Sequence, residues 1–245
     1  GDGMADYPVP SLDGRTPLEC ARAPNMDRIA RDGRLGLVDT IPQGFPPGSD
    51  VANLTVLGYD CAACYSGRGP LEAASMGVRL NPDDVAFRCN LVTLGSGEDP
   101  VMDAYNAGNI SSDEARRIIA DLEEKLKGGP FRFYPGVSYR HLLVWKGGPD
   151  GLKTTPPHDI SGCPFADYLP QGDGAGEALD LMKRAQAVLA DHPVNRERQA
   201  AGRKPANNIW IWGQGRAPAM VPLTKRFGLT GSMISAVDLL RGIGV

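Results

Sequence analysis

The chain has 245 residues, of which 22% are charged, and a formal net charge of −3 at pH 7. That balance excludes a broad basic field of the kind that attracts nucleic acid. No run of apolar residues approaches the length of a membrane span, so no membrane partner is predicted. The five cysteines are odd in number and scattered, which indicates reduced thiols and a cytoplasmic location rather than a disulfide framework.

The first part of the chain alternates between helical and extended patterns. The elements predicted in order are a helix over 25–33, a strand over 35–41, a helix that starts at Ser49, a short helix over 70–76 and a strand over 84–94. Strands and helices that alternate in this way predict an α/β layer structure with mostly parallel strands.

The character of the sequence changes near residue 95, where a linker-like stretch precedes a new set of elements. They are a helix over 111–128 that begins with the capping-box pair Ser111 and Glu114, a strand over 137–145 and a helix over 177–193. A second linker-like stretch follows near residue 200, and after it the apolar segments typical of an α/β domain return. We therefore predict a core domain interrupted by an inserted domain, the core comprising residues 1–95 and 205–245 and the insert residues 96–204.

The proline- and glycine-rich loop "TIPQGFPPGSD" leads to Ser49 at the predicted start of a helix. By residue type alone, a serine there is an ordinary helix cap. Three features favour a functional hydroxyl instead. The predicted strand before the loop places Ser49 at the carboxyl edge of a parallel sheet, a helix N-terminus suits a phosphate, and the prolines hold the hydroxyl in place. The residues alone leave both interpretations open.

Asp2 in "GDG" is a second candidate. A carboxylate between two glycines is more often a turn former. If Asp2 lies at the same edge of the sheet as Ser49, its carboxylate oxygen, a hard ligand, would be available to bind a metal ion beside Ser49. Taken alone, this motif is a weak signal.

Two strands carry polar residues among apolar ones. Arg88 and Asn90 alternate with the apolar residues of the strand over 84–94 and therefore share its non-core face, where they would either bind an anion or be solvated. Arg140 and His141 are neighbours on another strand and face opposite ways, so only one of them points into a given cleft.

Two further candidates lie outside the strands. His158 in "TTPPHDI" belongs to a proline-rich loop, a setting that favours function over a core role. Arg68 in "YSGRGPLEAA" precedes a helix and would either bind phosphate or cap its own loop, and residue type favours the cap.

Nine stretches are informative together: "GDGMADYP", "PNMDRIARDGRLGLVDTIPQGFPPGSDVANLTVLGYD", "YSGRGPLEAASMGV", "FRCNLVT", "FYPGVSYRHLLVW", "TTPPHDI", "DHPVN", "IWIWGQG" and "SAVDLLRGIGV". This set resembles the archaeal-type 2,3-bisphosphoglycerate-independent phosphoglycerate mutases of the alkaline phosphatase superfamily. The resemblance spans essentially the whole chain, and the first two stretches are the most specific. It implies an alkaline-phosphatase-like, mostly parallel α/β core, incomplete in this chain and interrupted by an inserted α+β domain.

The resemblance also implies a reaction, the interconversion of 2-phosphoglycerate and 3-phosphoglycerate in glycolysis or gluconeogenesis through a phosphoserine. Ser49 in "GSDVAN" would be the nucleophile and, with Asp2, would hold one of two divalent metal ions. Manganese is favoured, magnesium, cobalt or zinc are other choices, and 2,3-bisphosphoglycerate is not needed. The metal would lower the pKa of the serine hydroxyl and neutralise charge on the transferring phosphoryl group.

In this family, arginines and a histidine of the inserted domain hold the substrate's carboxylate and phosphate. The residues that would do so here are Arg140 and His158, with Arg88, Asn90 and Arg196 as further candidates. The family's other metal ligands are aspartates and histidines in the later part of the chain, but no histidine follows residue 210. We therefore expect a chain truncated at both ends that supplies two metal ligands and is inactive alone.

Two other functions remain open on the sequence. A related metal-dependent phosphotransferase or phosphohydrolase, with a homoserine-kinase-like acceptor in the first case, would use the same core. A non-catalytic binding fragment would account for the missing metal ligands. The expected partner is a small phosphoglycerate, with neither nucleic acid nor membrane, and the oligomeric state is open.

Overall fold

The computed structural model describes residues 4–235 and 237–244. It divides into two compact units, Gly1–Asp39 and Thr40–Val245. In the first unit, a 3-10 helix over Pro10–Leu12 precedes α1 (Pro17–Cys20) and α2 (Pro24–Asp32). Helix α2 confirms the helix predicted over 25–33.

The strand predicted over residues 35–41 is wrong. The described backbone there has no regular hydrogen-bonded structure, and the side chains of Leu35, Leu37 and Val38 are exposed. The apolar residues that suggested a strand find no partner strand among the residues that the structure describes, and a strand forms only when its backbone groups are paired.

The second unit contains helices and strands in mixed order. They are α3 (Ser49–Val56), α4 (Cys61–Cys64), α5 (Arg68–Ser75), β1 (Val85–Leu94), β2 (Met102–Ala104), α6 (Ser112–Lys125), β3 (Phe131–Tyr134), β4 (Arg140–Trp145), β5 (Leu152–Lys153), β6 (Gln171–Gly172), α7 (Ala175–Ala190), α8 (Pro193–Ala200), β7 (Asn208–Gly215), α9 (Leu223–Phe227) and α10 (Asp238–Ile243). Helices α5, α6 and α7 and strands β1 and β4 confirm the elements predicted at those places. The mixture confirms the α/β class.

The main sheet is built around β1. Strand β1 pairs with β4 on one side and β7 on the other, β3 continues the sheet beyond β4, and the short β2 pairs with the last residues of β1. A separate two-stranded sheet joins β5 and β6. Because β1 is central, side chains from both of its neighbours meet on each of its faces.

The expectation of mostly parallel strands is wrong for the part of the chain described. Every pair of named strands there is antiparallel. One parallel contact exists, an isolated bridge between Met102 and Ser161. The predicted parallel arrangement depended on a strand over 35–41 beside β1, and that strand does not form.

The main sheet joins segments that the sequence assigns to different domains. Strands β1 and β7 come from the predicted core segments, whereas β3 and β4 belong to the predicted insert. The boundaries at residues 95 and 205 therefore cut across one hydrogen-bonded sheet, and the division into core and insert stays a prediction.

The two faces of the sheet have different neighbours. On one face, Phe87, Cys89 and Leu91 of β1 are fully buried in the larger apolar cluster with residues of α6 and α7. On the other face, Ala86 packs with Ala73 of α5. A smaller cluster joins α3, α4, α5 and α10. Within the described ranges, no helix is long and apolar enough to cross a membrane.

Candidate active site

The side chain of Trp212 in β7 is the centre of a polar cluster on the α5 face of the sheet. The guanidinium carbons of Arg88 and Arg68 lie 5.3 Å and 5.5 Å from the centroid of its ring. The ring of His158 approaches edge-on, with centroids 5.2 Å apart and an interplanar angle of 69°. We call Arg68, Glu72, Arg88, His158 and Trp212 the Trp212 cluster.

Strand register brings Arg88 and Trp212 together. In the antiparallel pair of β1 and β7, Arg88 lies directly opposite Trp212, and opposite residues of such a pair share a face. In the pair of β1 and β4, Asn90 lies opposite Arg140. The predicted shared face of Arg88 and Asn90 is thus present, and Arg140 joins it. His141 is on the other face, opposite Cys89.

Glycines bring Arg68 to the same place. A Cβ on Gly69 would lie 2.2 Å from the carbonyl oxygen of Ala86, and one on Gly67 would lie 1.8 Å from that of Gln214. The first turn of α5 can therefore approach the ends of β1 and β7 this closely only without side chains. The sequence favoured a loop cap for Arg68. The signal for its role was the pairing of "SGRG" with "GQG", which only the tertiary fold reveals.

Glu72 is the acidic member of the Trp212 cluster. Its Oε1 accepts a hydrogen bond from Nε of Arg68 at 2.8 Å and a second from Nη1 of Arg88. One carboxylate therefore faces two guanidinium groups, with Arg140 on the neighbouring strand. Arg88 is 4% exposed. Among the residues described, the Nε atoms of Arg88 and Arg140 are buried without a hydrogen-bond partner. The cluster therefore carries a net positive charge and unused donors, as an anion site requires.

The buried, positively charged surroundings change the pKa values of Arg88 and His158. Burial lowers the pKa of Arg88, while Glu72 raises it and the charges of Arg68 and Arg140 lower it further. Burial also lowers the pKa of His158, with Asp159 raising it and Arg68 and Arg88 lowering it. These causes favour the neutral imidazole form of His158.

Two predicted ligands are engaged within the fold. The side-chain oxygen of Asn90 accepts from Nε1 of Trp212 at 3.1 Å, and its Nδ2 donates to the carbonyl of Tyr105 at 3.1 Å. Arg196 is exposed and donates to the carbonyl of Asp191 at 2.6 Å. In the described ranges, no hydrogen bond, ion pair or ring contact connects Arg196 to the Trp212 cluster.

Ser49 is the first residue of α3 and is exposed. The residue at the N-cap is Gly48, and no side chain caps the helix. The interpretation of Ser49 as an ordinary helix cap is therefore wrong. An exposed hydroxyl beside the free N–H groups of a helix N-terminus is placed to meet a phosphate. Its neighbour Asp50 is buried, accepting from the Val51 N–H at 3.0 Å and from the hydroxyl of Tyr65 at 2.5 Å.

Asp2 lies outside the described residues. Within those residues, no three histidine, cysteine, aspartate or glutamate side chains come close enough to hold a metal ion. The residues described thus do not by themselves form a metal site.

A basic cluster of side chains around a tryptophan and an exposed serine at a helix start are both features suited to binding an anionic group in an α/β protein. A profile of the 2,3-bisphosphoglycerate-independent phosphoglycerate mutase family matches residues 30–195. The chain belongs to this family.

Individual relatives agree with this assignment. The chain is 55% identical over 246 residues to a probable 2,3-bisphosphoglycerate-independent phosphoglycerate mutase of Geobacter sulfurreducens. The match covers 100% of this chain and 62% of that relative. The chain is also 55% identical to the enzyme so named of Methanothrix thermoacetophila, covering 61% of that protein. The chain thus spans about three fifths of the length of these relatives.

Two solved structures resemble the fold. A protein from Pyrococcus horikoshii matches with a TM-score of 0.74 and 30% identity, over 99% of this chain and 57% of that one. A cofactor-independent phosphoglycerate mutase from Thermoplasma acidophilum matches with a TM-score of 0.56 and 30% identity, over 98% of this chain and 65% of that one. The α/β fold is therefore that of the cofactor-independent mutases.

Proposed function

We propose that the protein containing this chain interconverts 2-phosphoglycerate and 3-phosphoglycerate without 2,3-bisphosphoglycerate, through a phosphoserine at Ser49. The observation that carries the proposal is the placement of Arg68 and Arg88 on one tryptophan with unused donors, in a chain of the mutase family. Phosphoglycerate has two anionic groups, a phosphate and a carboxylate, and guanidinium groups bind both bidentately.

The reaction has two transfers at the same hydroxyl. The oxygen of Ser49 forms a bond to phosphorus as the bond from phosphorus to the glycerate oxygen breaks. The serine loses its proton, and the departing glycerate oxygen gains one. Glycerate then turns in the site, its other hydroxyl attacks the phosphoserine, and Ser49 regains its proton. The free N–H groups at the start of α3 stabilise the phosphoserine between the two steps.

The Trp212 cluster holds the glycerate in this proposal. Arg68 and Arg88 bind one anionic group, and Arg140 and His158 bind the other. Asn90 supports Trp212 instead of binding substrate, because both ends of its amide already have protein partners. Arg196 is left out of the proposed site because its guanidinium bonds the carbonyl of Asp191.

Divalent metal ions complete the proposal. Manganese is favoured, with magnesium, cobalt or zinc as other choices, and Asp2 and Ser49 are the ligands that this chain would supply. A metal bound there would lower the pKa of the serine hydroxyl and offset phosphoryl charge. Further ligands would have to come from outside the described residues.

The insert and the location also belong to the proposal. We assign residues 96–204 the role of closing over the glycerate, so that water does not compete for the phosphoserine. The five cysteines are free, which supports a cytoplasmic location.

The test is an assay of the full-length protein with 3-phosphoglycerate and manganese, without 2,3-bisphosphoglycerate. We expect 2-phosphoglycerate to form and Ser49 to become phosphorylated, and we expect Ser49→Ala to abolish both. Absence of mutase activity in the unchanged protein would overturn the proposal, and full activity of Ser49→Ala would overturn the role of the serine. Substrate labelled on phosphorus distinguishes a mutase, which keeps the label on glycerate, from a hydrolase or a kinase with another acceptor.

A further inference from the structure

Resting on the function proposed above, we propose that Trp212 is a positioning residue that holds Arg68 and Arg88 as one preformed site for a phosphate monoester dianion. Trp212 does not touch the reacting atoms in this proposal. It acts by fixing the directions in which the two guanidinium groups present their donors.

The guanidinium groups of Arg68 and Arg88 carry the same charge, so other interactions must stabilise their close approach. At a separation of a few ångströms, two guanidinium groups repel each other, and the low dielectric constant of the interior strengthens the repulsion. Glu72 offsets one of the two charges by accepting from both side chains. The indole ring attracts both cations, whose guanidinium carbons lie 5.3 Å (Arg88) and 5.5 Å (Arg68) from its centroid. The remaining positive charge and the unused donors are then available to an anion.

The ring itself is held from two directions. Its Nε1 donates to Asn90, and the Asn90 amide donates to the Tyr105 carbonyl, so the plane of the indole is fixed to the loop after β2. Beside it, Gly213 has a φ of +62°, and a Cβ there would lie 3.4 Å from the Cβ of Arg68. The chain therefore leaves room for the stem of Arg68 next to the ring that orients its head.

Preorganisation of this kind lowers the cost of binding. Long arginine side chains lose rotamer freedom when they bind an anion, and a ring that already restricts both of them removes much of that loss. The expected effect of removing the ring is a weaker affinity for anions, with less effect on the chemical step once the substrate is bound. That pattern is a rise in KM with kcat less changed.

The experiment measures the dissociation constant of inorganic phosphate by calorimetry in the full-length protein. The variants are Trp212→Leu, Arg68→Ala and the double variant. We expect Trp212→Leu to raise the dissociation constant about tenfold, because both arginines lose their orientation, and Arg68→Ala to raise it at least as much, because a phosphate ligand itself is lost. Because Trp212 acts through both Arg68 and Arg88, the double variant should be weaker than either single variant, but by clearly less than the product of the two separate effects. Independent effects that multiply would overturn the proposal, and so would an unchanged dissociation constant in Trp212→Leu.

Trp145→Leu is the matched control. Trp145 is also a buried tryptophan of the main sheet, but its ring lies 4.7 Å from that of Phe131, tilted by 51°, and its partner on β1 is Val85, which faces away from Arg88. It should lower thermal stability and leave phosphate binding unchanged, and weakening equal to that of Trp212→Leu would contradict the proposal. If either leucine variant does not fold, Trp212→Phe and Trp145→Phe give the same comparison, with a smaller effect expected at Trp212.

Phosphate binding also separates this proposal from the proposed function. If the unchanged protein lacks mutase activity but the coupled loss of phosphate affinity is seen, the positioning role stands and the mutase function fails. If the protein is an active mutase and Trp212→Leu binds phosphate and phosphoglycerate normally, the positioning role fails alone.

Discussion

The hydroxyl of Tyr65 donates a hydrogen bond to Oδ2 of Asp50 at 2.5 Å, and Asp50 is the residue after Ser49. Tyr65 also packs edge-on against Phe45 of the proline-rich loop, with ring centroids 6.2 Å apart. Three residues further along, Arg68 enters the Trp212 cluster. The short segment over 65–68 therefore connects the start of α3, where Ser49 lies, to the Trp212 cluster that would hold the substrate.

We expect Tyr65→Phe to weaken both stability and catalysis. The change leaves one oxygen of the buried Asp50 carboxylate without its donor, and an unpaired buried acceptor costs about 1–3 kcal/mol of unfolding free energy. Because Asp50 also accepts from the Val51 N–H, its release should disturb the first turn of α3 and lower kcat more than it raises KM. Urea unfolding and steady-state kinetics of the full-length protein measure the two effects.

Tyr59→Phe is the control for Tyr65→Phe. The hydroxyl of Tyr59 donates to the carbonyl of Val221 at 2.9 Å, and Tyr59 belongs to the same apolar cluster as Val51 and Leu54. It should lose stability of the same order and keep its kcat. If both variants lose kcat equally, the bond to Asp50 has no particular role at the site.

Ser49→Ala should leave stability almost unchanged. Ser49 is exposed and does not cap its helix, so the change should alter the unfolding free energy by less than about 0.5 kcal/mol. Ser111→Ala is the matched change at another helix start, because Ser111 accepts from the Glu114 N–H in a capping box. That loss should cost about 1 kcal/mol. A Ser49 variant as unstable as the Ser111 variant would show that the Ser49 hydroxyl has a structural role.

Gly69→Ala should displace α5 from the sheet. The new Cβ would lie 2.2 Å from the carbonyl oxygen of Ala86, so helix and strand must separate. We expect a loss of about 1–3 kcal/mol of stability, together with weaker phosphate binding because Arg68 moves with its helix. Gly176→Ala is the control, since Gly176 is likewise the second residue of a helix but has open space around its Cα. It should keep or raise stability, and a similar loss in both variants would exclude the steric explanation.

The alternation of residues was enough to predict some parts of the site and not others. Period-two alternation placed Arg88 and Asn90 on one face, because that pattern depends only on the strand itself. It could not say that Trp212 lies opposite Arg88, since the register between β1 and β7 is set by contacts far apart in sequence. The capping box that begins at Ser111 was also predicted correctly, because it too depends only on residues that are close together in the sequence. Arg68 was missed because its position depends on Gly67 and Gly69 fitting against two strands.

The local sequence pattern also could not predict whether neighbouring strands run parallel or antiparallel. An apolar run such as residues 35–41 has strand character, but it becomes a strand only with a partner. In the described part of the chain that partner is absent, and β1 instead pairs antiparallel with β4 and β7. Sequence therefore predicted which segments are extended better than how they pair.

The stability of the protein should fall as the pH drops below about 6.5, and His141 should account for part of that fall. His141 is 1% exposed. Its Nδ1 accepts from the Gly136 N–H at 3.0 Å, and its Nε2 has no partner within the described residues. Burial, and then the charge of Arg88, lower the pKa of His141 to about 3. In the unfolded chain a histidine has a pKa of about 6.5.

Between these two pKa values the unfolded state binds a proton that the folded state does not, so unfolding becomes more favourable as the pH falls. The contribution of His141 is complete above about pH 6.5 and is lost progressively down to about pH 3, at up to about 1.4 kcal/mol per pH unit. Burial lowers the pKa values of His158 and His192 as well, so they add to the slope in the same direction. In His141→Asn, a side-chain oxygen can still accept from the Gly136 N–H but cannot titrate. Urea unfolding at pH 8, 7, 6 and 5 should therefore show a smaller slope for this variant, and equal slopes would mean that His141 does not control acid stability.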